Sequence, residues 1–347
     1  MNTYSRILLL GGIVIIPAAA SADTTLFGQA HPSVLFSDDG DNTDTFVSSN
    51  TSRIGIKGNL GLSDSLKAIY HLEWSAGLDG NDGDEDLKAR NRFGGLQGNY
   101  GTLRIGRIDT PMKLVGRAVD LFWSTQWGQN RILTNNNGAG GLDARWDNVI
   151  NYTSPKFSQG FAFQGAYSTD HSDSGNADPA NPGENNDDDA YSVAAWYKTK
   201  PLYLGAAYES RSFATSDEEQ TAVRVSGYYL LGTTRLTALY QDTSDVGGNL
   251  NKDQEVYGVG IAHTIGMNTF KSHYYLADNI ADNVSLGWDR SLSKNTSIYA
   301  TFTLVSDDEN NDGIRVTAGG AGTGEIITAA ADGEDVSGVS LGLRIVF

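Results

Sequence analysis

The chain contains no cysteine and only 7 prolines among its 347 residues. No disulfide framework holds it together, which excludes the small stapled modules that lack a core of their own. Positive charge is scarce: 25 Lys plus Arg stand against 42 Asp plus Glu, a net charge of −17. Nucleic acid is therefore not expected as a partner, because phosphate binding needs a basic surface. Beyond residue 22 there is no long apolar run, so no membrane-spanning helix is expected, but strands cross membranes without such runs. The five histidines, His31, His71, His171, His263 and His273, show no HExxH or HxH spacing. No GxSxG elbow is present either, so neither a zinc centre nor a nucleophilic active site is expected, and the chain reads as neither an enzyme nor a cofactor protein.

What is present begins with a leader. Arg6 precedes the apolar run Ile7 to Ile16, Pro17 breaks it, and Ala20-Ser21-Ala22 offers a small-residue cleavage site. Residues 1–22 read as a secretory signal peptide, too short in its apolar part for a spanning helix, and residues 23–347 as a single unit. Removal of Arg6 takes the net charge from −17 to −18.

Past the leader the dominant signal has period two. Val339, Leu341, Leu343, Ile345 and Phe347 alternate with Gly338, Ser340, Gly342 and Arg344, and Val223 and Val225 alternate with Arg224 and Ser226. Transmembrane strands need about 9 to 11 such residues, apolar toward lipid and polar toward a lumen. Candidate strands are 24–36, 52–60, 66–75, 90–98, 102–107, 147–154, 161–169 and 191–198, then 202–213, 221–230, 233–243, 255–264, 268–276, 283–292, 297–307 and 336–347. The even number suits a closed bacterial barrel wide enough for water. Short connections alternate with longer acidic ones, among them 38–44, 79–86, 178–189, 216–219 and 306–313. Tyr70, Trp74, Tyr152, Tyr167, Tyr208, Tyr229, Tyr240, Tyr274 and Trp288 fall near strand ends, as an interfacial girdle requires. Asp308-Glu-Asn310-Asn-Asp312-Gly313 matches half of an EF-hand loop but has Gly319 where the bidentate Glu belongs, so it reads as a solvated loop tip and no metal is expected.

One long connection interrupts the pattern, and its flanks are informative. The entry reads Gly95, Leu96, Gly98, Gly101, Thr102, Arg104, Gly106, Arg107, Asp109, Thr110, Pro111, Lys113, and the exit Asp147, Asn148, Ile150, Tyr152, Ser154, Pro155, Phe157, Ser158, Phe161. Both resemble the general diffusion porins of Gram-negative outer membranes. The resemblance implies an all-β, 16-stranded antiparallel transmembrane barrel whose loop 111–142 folds inward to form a constriction. It also implies a homotrimer among outer-membrane lipid and lipopolysaccharide, passing ions and small hydrophilic solutes by diffusion. Phe347 then becomes the signal read by the barrel-insertion machinery. A substrate-specific channel and a non-pore barrel, adhesin or receptor, are the alternatives; a soluble sandwich or propeller suits the inward glycines Gly55, Gly205, Gly287 and Gly342 less well.

Alternation then places Arg53, Lys57, Lys67, Arg90, Arg92 and Arg104 on lumen faces. With Arg107 they are expected to line the constriction opposite the loop carboxylates Asp109 and Asp120. The family's loop carries a PEFGG-like turn where this chain has Asp120-Leu121-Phe122-Trp123-Ser124. Weak cation selectivity is the expectation, with the outer acidic loops enriching cations at the mouth.

Overall fold

The computed structural model describes residues 23–80, 87–157, 160–171, 188–213, 216–308, 315–319 and 326–347. The signal peptide, most of the acidic runs 79–86 and 178–189, and all but the first residue of the EF-hand-like hexapeptide lie outside the described residues.

Sixteen antiparallel strands close on themselves. The first two are interrupted: β1 comprises Asp23–Ala30 and Pro32–Asp38, and β2 comprises Thr43–Ser49 and Arg53–Ser63, which is why eighteen paired segments make sixteen strands. The first half continues with β3 (Leu66–Ser75), β4 (Ala89–Gly98), β5 (Gly101–Asp109), β6 (Arg145–Thr153), β7 (Phe161–Ser168) and β8 (Ala190–Lys198). The second half is β9 (Leu202–Phe213), β10 (Ser216–Leu231), β11 (Thr234–Ser244), β12 (Gln254–Ile265), β13 (Asn268–Ala277), β14 (Ala281–Ser291), β15 (Thr296–Asp307) and β16 (Val336–Val346). Each strand pairs with its sequence neighbours, and β16 returns to β1 with Gln29 opposite Val346 and Ser33 opposite Gly342. The last residue completes the seam: Gly28 N donates to Phe347 O at 2.8 Å and Phe347 N to Gly28 O at 3.1 Å.

The boundaries differ from the sequence reading in one instructive place. The acidic run Ser216 to Glu219 belongs to β10, not to a loop, because Phe213 pairs with Ser216 and Ser210 Oγ donates to Glu219 at 2.8 Å. β10 therefore extends past the predicted 221–230.

Burial is inverted relative to a soluble protein. Along β7 the exposed side chains are Phe161, Phe163 and Tyr167, while Ala162, Gln164, Ala166 and Ser168 are buried. The same inversion marks β10, where Val223 and Val225 are exposed and Arg224 and Ser226 are buried. An apolar exterior and a polar interior belong to a barrel in lipid, where each backbone group is satisfied by its neighbouring strand.

Among the described residues four register shifts interrupt the pairing, and two of them fall among the expected lumen-facing bases. One lies between β3 and β4, where the register shifts between Leu72 and Trp74; the other lies between β5 and β6, where it shifts between Gly106 and Ile108. An extra residue at a bulge turns the following side chains to the other face.

Candidate pore constriction

Between β5 and β6 the chain leaves the wall and packs against the inner surface of the barrel. Thr110 and Pro111 start it in the way helix geometry favours: Thr110 Oγ1 accepts from Lys113 N at 3.2 Å and Pro111 occupies the first turn of α1 (Pro111–Arg117). A second short helix, α2 (Arg131–Thr134), follows. Carbonyls of this segment that no local backbone bond satisfies must find donors elsewhere.

The wall supplies them. Arg224 on β10 is fully buried and donates from Nη1 to Met112 O at 3.0 Å and to Asp143 Oδ1 at 2.5 Å, and from Nη2 to Thr134 O at 3.1 Å. Its Nε donates to Gln241 Oε1 at 2.9 Å, which fixes the guanidinium plane. Ser226 Oγ donates to Val115 O at 2.8 Å, Lys271 Nζ to Leu121 O at 3.0 Å, Arg211 to the Gly140 and Gly141 carbonyls, and Arg235 to Ala118 O. At Gly116 loop and wall come close: a Cβ there would stand 2.4 Å from Arg224 Nη1, so the guanidinium would have to shift. On the loop side Phe122 packs edge-on against His273 with 4.7 Å between ring centres.

What remains open is a cavity of about 740 Å³ on the opposite side of the loop. Nine basic residues border it, among them Arg53, Arg90, Arg107, Arg117, Arg145 and Arg211, against the three carboxylates of Glu73, Asp109 and Asp143. The carboxylates are engaged. Asp109 Oδ1 lies 2.9 Å from both Lys113 Nζ and Arg145 Nη2, and Asn91 Nδ2 donates to its Oδ2 at 3.0 Å. Glu73 is paired with Arg90 and lies 3.3 Å from His71 Nε2. Burial lowers Lys113 to about 7, with Arg145 and Arg131 pushing the same way and Asp109 opposing them.

Of the residues expected from sequence, Arg53, Arg90, Arg107 and Asp109 border this cavity, and Arg107 pairs with Asp147. Lys57 and Arg104 face the lumen outside it: Lys57 sits 4.9 Å from the Phe27 ring centre, and Arg104 Nη2 donates to Thr153 Oγ1 at 2.9 Å. Lys67 is exposed near the β2–β3 turn, opposite Gly61. Arg92 is a correction. The bulge sets it opposite Leu72 and stacks its guanidinium 4.9 Å over Trp74, whose partner Ile54 is on the exposed apolar face, so Arg92 points outward. Asp120 also differs from expectation. Its carboxylate accepts from Phe122 N at 2.9 Å and Asn130 N at 3.2 Å, stapling the loop to itself. It borders a separate 220 Å³ cavity with His31, Lys271, Asp289 and Arg344, and burial pushes it up to about 7.

Sequence reasoning missed Arg145, Arg211 and Arg224. The inward face of Arg224 was legible between Val223 and Val225, but its partners lie 81 to 112 positions away along the chain. Arg145 stands two residues before the exit motif and carried no alternation signal of its own.

Comparison with known proteins agrees with this geometry. The sequence profile of a family described as Gram-negative porin matches residues 11–311. The chain is similar to outer membrane porin protein 32 of Delftia acidovorans, 28% identical over 356 residues that cover 95% of each chain. Among solved structures it is similar to an anion-selective porin from Comamonas acidovorans, with 25% identity, a TM-score of 0.78, and coverage of 94% of this chain and 100% of that one. It also shares its fold with in-vitro folded OmpT of Vibrio cholerae in a trimer form, at 16% identity, a TM-score of 0.65, and coverage of 94% and 100%.

Proposed function

Since the chain belongs to the Gram-negative porin family and is a bacterial outer-membrane channel for passive diffusion, we propose that its constriction selects for small anions. The observation that carries this is the lining of the 740 Å³ cavity, nine bases against three carboxylates that are held in ion pairs. It reverses the expectation of weak cation selectivity. The acidic loops act over a Debye length of about 8 Å at physiological ionic strength, so they set the potential at the mouth and leave the narrow part to its own side chains. The anion selectivity named for the porin from Comamonas acidovorans supports the same reading.

Arg53, Arg90, Arg107, Asp109 and Arg145 are assigned to the constriction, and the inner loop 111–142 to the narrowing itself. The chain works as a channel and not as an enzyme, and its unit is a homotrimer with one pore per protomer, for which the trimer form of OmpT is a precedent. Residues 1–22 are a cleaved leader to the periplasm and 23–347 the barrel. The test is the reversal potential of purified channels in planar lipid across a potassium chloride gradient. A potential with the sign of chloride permeation supports the proposal; one with the sign of potassium permeation overturns it.

Phe347 has a role in assembly. Its backbone closes the β1–β16 seam, and its ring lies so close to Gly28 that a Cβ there would stand 2.4 Å away. Phe347→Ala should lower the amount of folded barrel in the outer membrane while leaving export to the periplasm intact, and heat-modifiable migration in detergent reads this directly. Unchanged outer-membrane levels would remove the assignment.

A further inference from the structure

Inner walls of barrels are polar, and below the constriction this one carries a strip of aromatic rings among its polar side chains. Phe27 on β1, His71 on β3 and Phe93 on β4 form a strip of rings across the lumen face: Phe27 and His71 are 5.0 Å apart at 41°, and His71 and Phe93 are 5.2 Å apart and nearly parallel at 6°. A cation flanks each end. Lys57 Nζ lies 4.9 Å from the Phe27 ring centre and the Arg104 guanidinium 5.6 Å from that of Phe93. The wall beside the strip is kept open by glycine, since Gly55 receives the Phe27 ring where a Cβ would stand 2.5 Å from it.

The strip is reachable from both directions. His71 borders the 740 Å³ cavity at the constriction, and His71, Phe93 and Lys57 border a 440 Å³ pocket that opens toward the end of the barrel where Asp23 lies. None of Phe27, His71 or Phe93 is buried, and Lys57 is exposed. A row of partly exposed rings in a water-filled passage is unfavourable by itself, since each leaves some apolar area in water. A passing solute that covers the rings recovers that area, and the flanking cations specify its charge.

We propose that this strip is a binding subsite for aromatic carboxylates, with the solute's ring laid against His71 and Phe93 and its carboxylate held by Lys57 or Arg104. The proposal rests on anion entry through the constriction, which chloride reversal potentials measure independently of it. It adds to plain diffusion a site that concentrates one class of anion on the way through.

The experiment records single-channel chloride current in planar lipid while benzoate, cyclohexanecarboxylate or acetate is added on each side. Benzoate should cause a saturable, concentration-dependent reduction of current that acetate does not, with cyclohexanecarboxylate weaker than benzoate. Phe93→Leu keeps the volume and loses the π face, and should weaken the block about threefold to tenfold, the range expected for one aromatic pair. Lys57→Gln with Arg104→Gln should abolish it. Both variants should retain the wild-type chloride reversal sign and the heat-modifiable migration that show an intact channel. Equal reduction by benzoate and acetate, or a benzoate block untouched in Phe93→Leu channels that pass those two checks, would overturn the subsite. Chloride exclusion in the wild-type channel would instead overturn the anion preference beneath it.

Discussion

The two sides of this lumen are built from opposite materials. On one side Trp127, Ile132 and Leu133 of the inner loop pack against Leu35, Val256, Val305 and Val336 of the wall, all of them without solvent exposure. A two-stranded hairpin, Thr317–Gly319 with Ile326–Thr328, covers this core, and Asn137 ties it down by accepting from Thr317 N at 2.8 Å and donating to Thr317 O at 3.0 Å. On the other side the wall carries arginines at Arg53, Arg90 and Arg145. Apolar side chains collapse onto one another because burial removes them from water, whereas like charges resist burial and keep water between them. The passage thus lies where collapse is forbidden, and the same loop supplies a dry face to one side and a charged rim to the other.

The largest break in this contrast should come from Arg224, which belongs to the dry side although it is charged. Its pair with Asp143 is fully enclosed, and both ends hold loop to wall. Removing one partner of a buried pair leaves the other charge unsatisfied, at a cost of about 3 to 5 kcal/mol. In Arg224→Ala the inner loop should come loose, giving noisy, variable single-channel conductance and a lower denaturation temperature of the detergent-extracted protein. Steady wild-type conductance with an unchanged transition would mean that the apolar core alone fixes the loop.

A smaller effect, confined to the open side, separates inward from outward arginines. In water a unit charge about 10 Å away is worth about 0.4 kcal/mol to an ion, a factor of about two in local concentration. Arg53→Ser with Arg90→Ser should therefore lower the anion concentration at the constriction about fourfold and move the reversal potential toward zero. Arg92→Ser is the internal control, because that guanidinium lies over Trp74 on the outer face. If Arg92→Ser shifts selectivity as far as the double variant does, the assignment of faces is wrong.

The contrast also explains how far the sequence could be read. Period-two alternation marks strands in both halves because lipid is the same all around the barrel, so the strand count and the inverted burial were legible from Thr24 to Phe347. Arg53 and Arg90 border the open cavity, whereas alternation alone could not pass the bulge beyond Leu72, where one extra residue sets Arg92 opposite Leu72. Asp120 escaped for a different reason. A carboxylate in an irregular loop has no period, and nothing local tells whether it faces a pore or, as here, caps its own backbone at Phe122 and Asn130. The anchoring of the loop by Arg211 and Arg224 depends on tertiary proximity, which alternation does not encode.

The smallest expected effect is a drift of selectivity with pH, and it arises where the two sides meet at the loop. Burial lowers Lys113 to about 7 beside the open cavity, and burial raises Asp120 to about 7 in the smaller cavity across Trp123, a residue that borders both. As pH rises through 7 the ammonium loses its proton and so does the carboxyl, and each change makes the loop more negative. Anion preference should therefore be strongest near pH 5.5 and weaken toward pH 8.5, by about twofold for one charge at about 10 Å. Lys113→Met removes the titration on the open side and should flatten most of the drift, because the Asp120 carboxylate is enclosed and turned toward its own backbone donors. Reversal potentials measured at both pH values in the wild-type and Lys113→Met channels decide it: a drift of equal size in the two would assign the titration to Asp120, and a drift in the opposite direction would mean that neither group governs the passage.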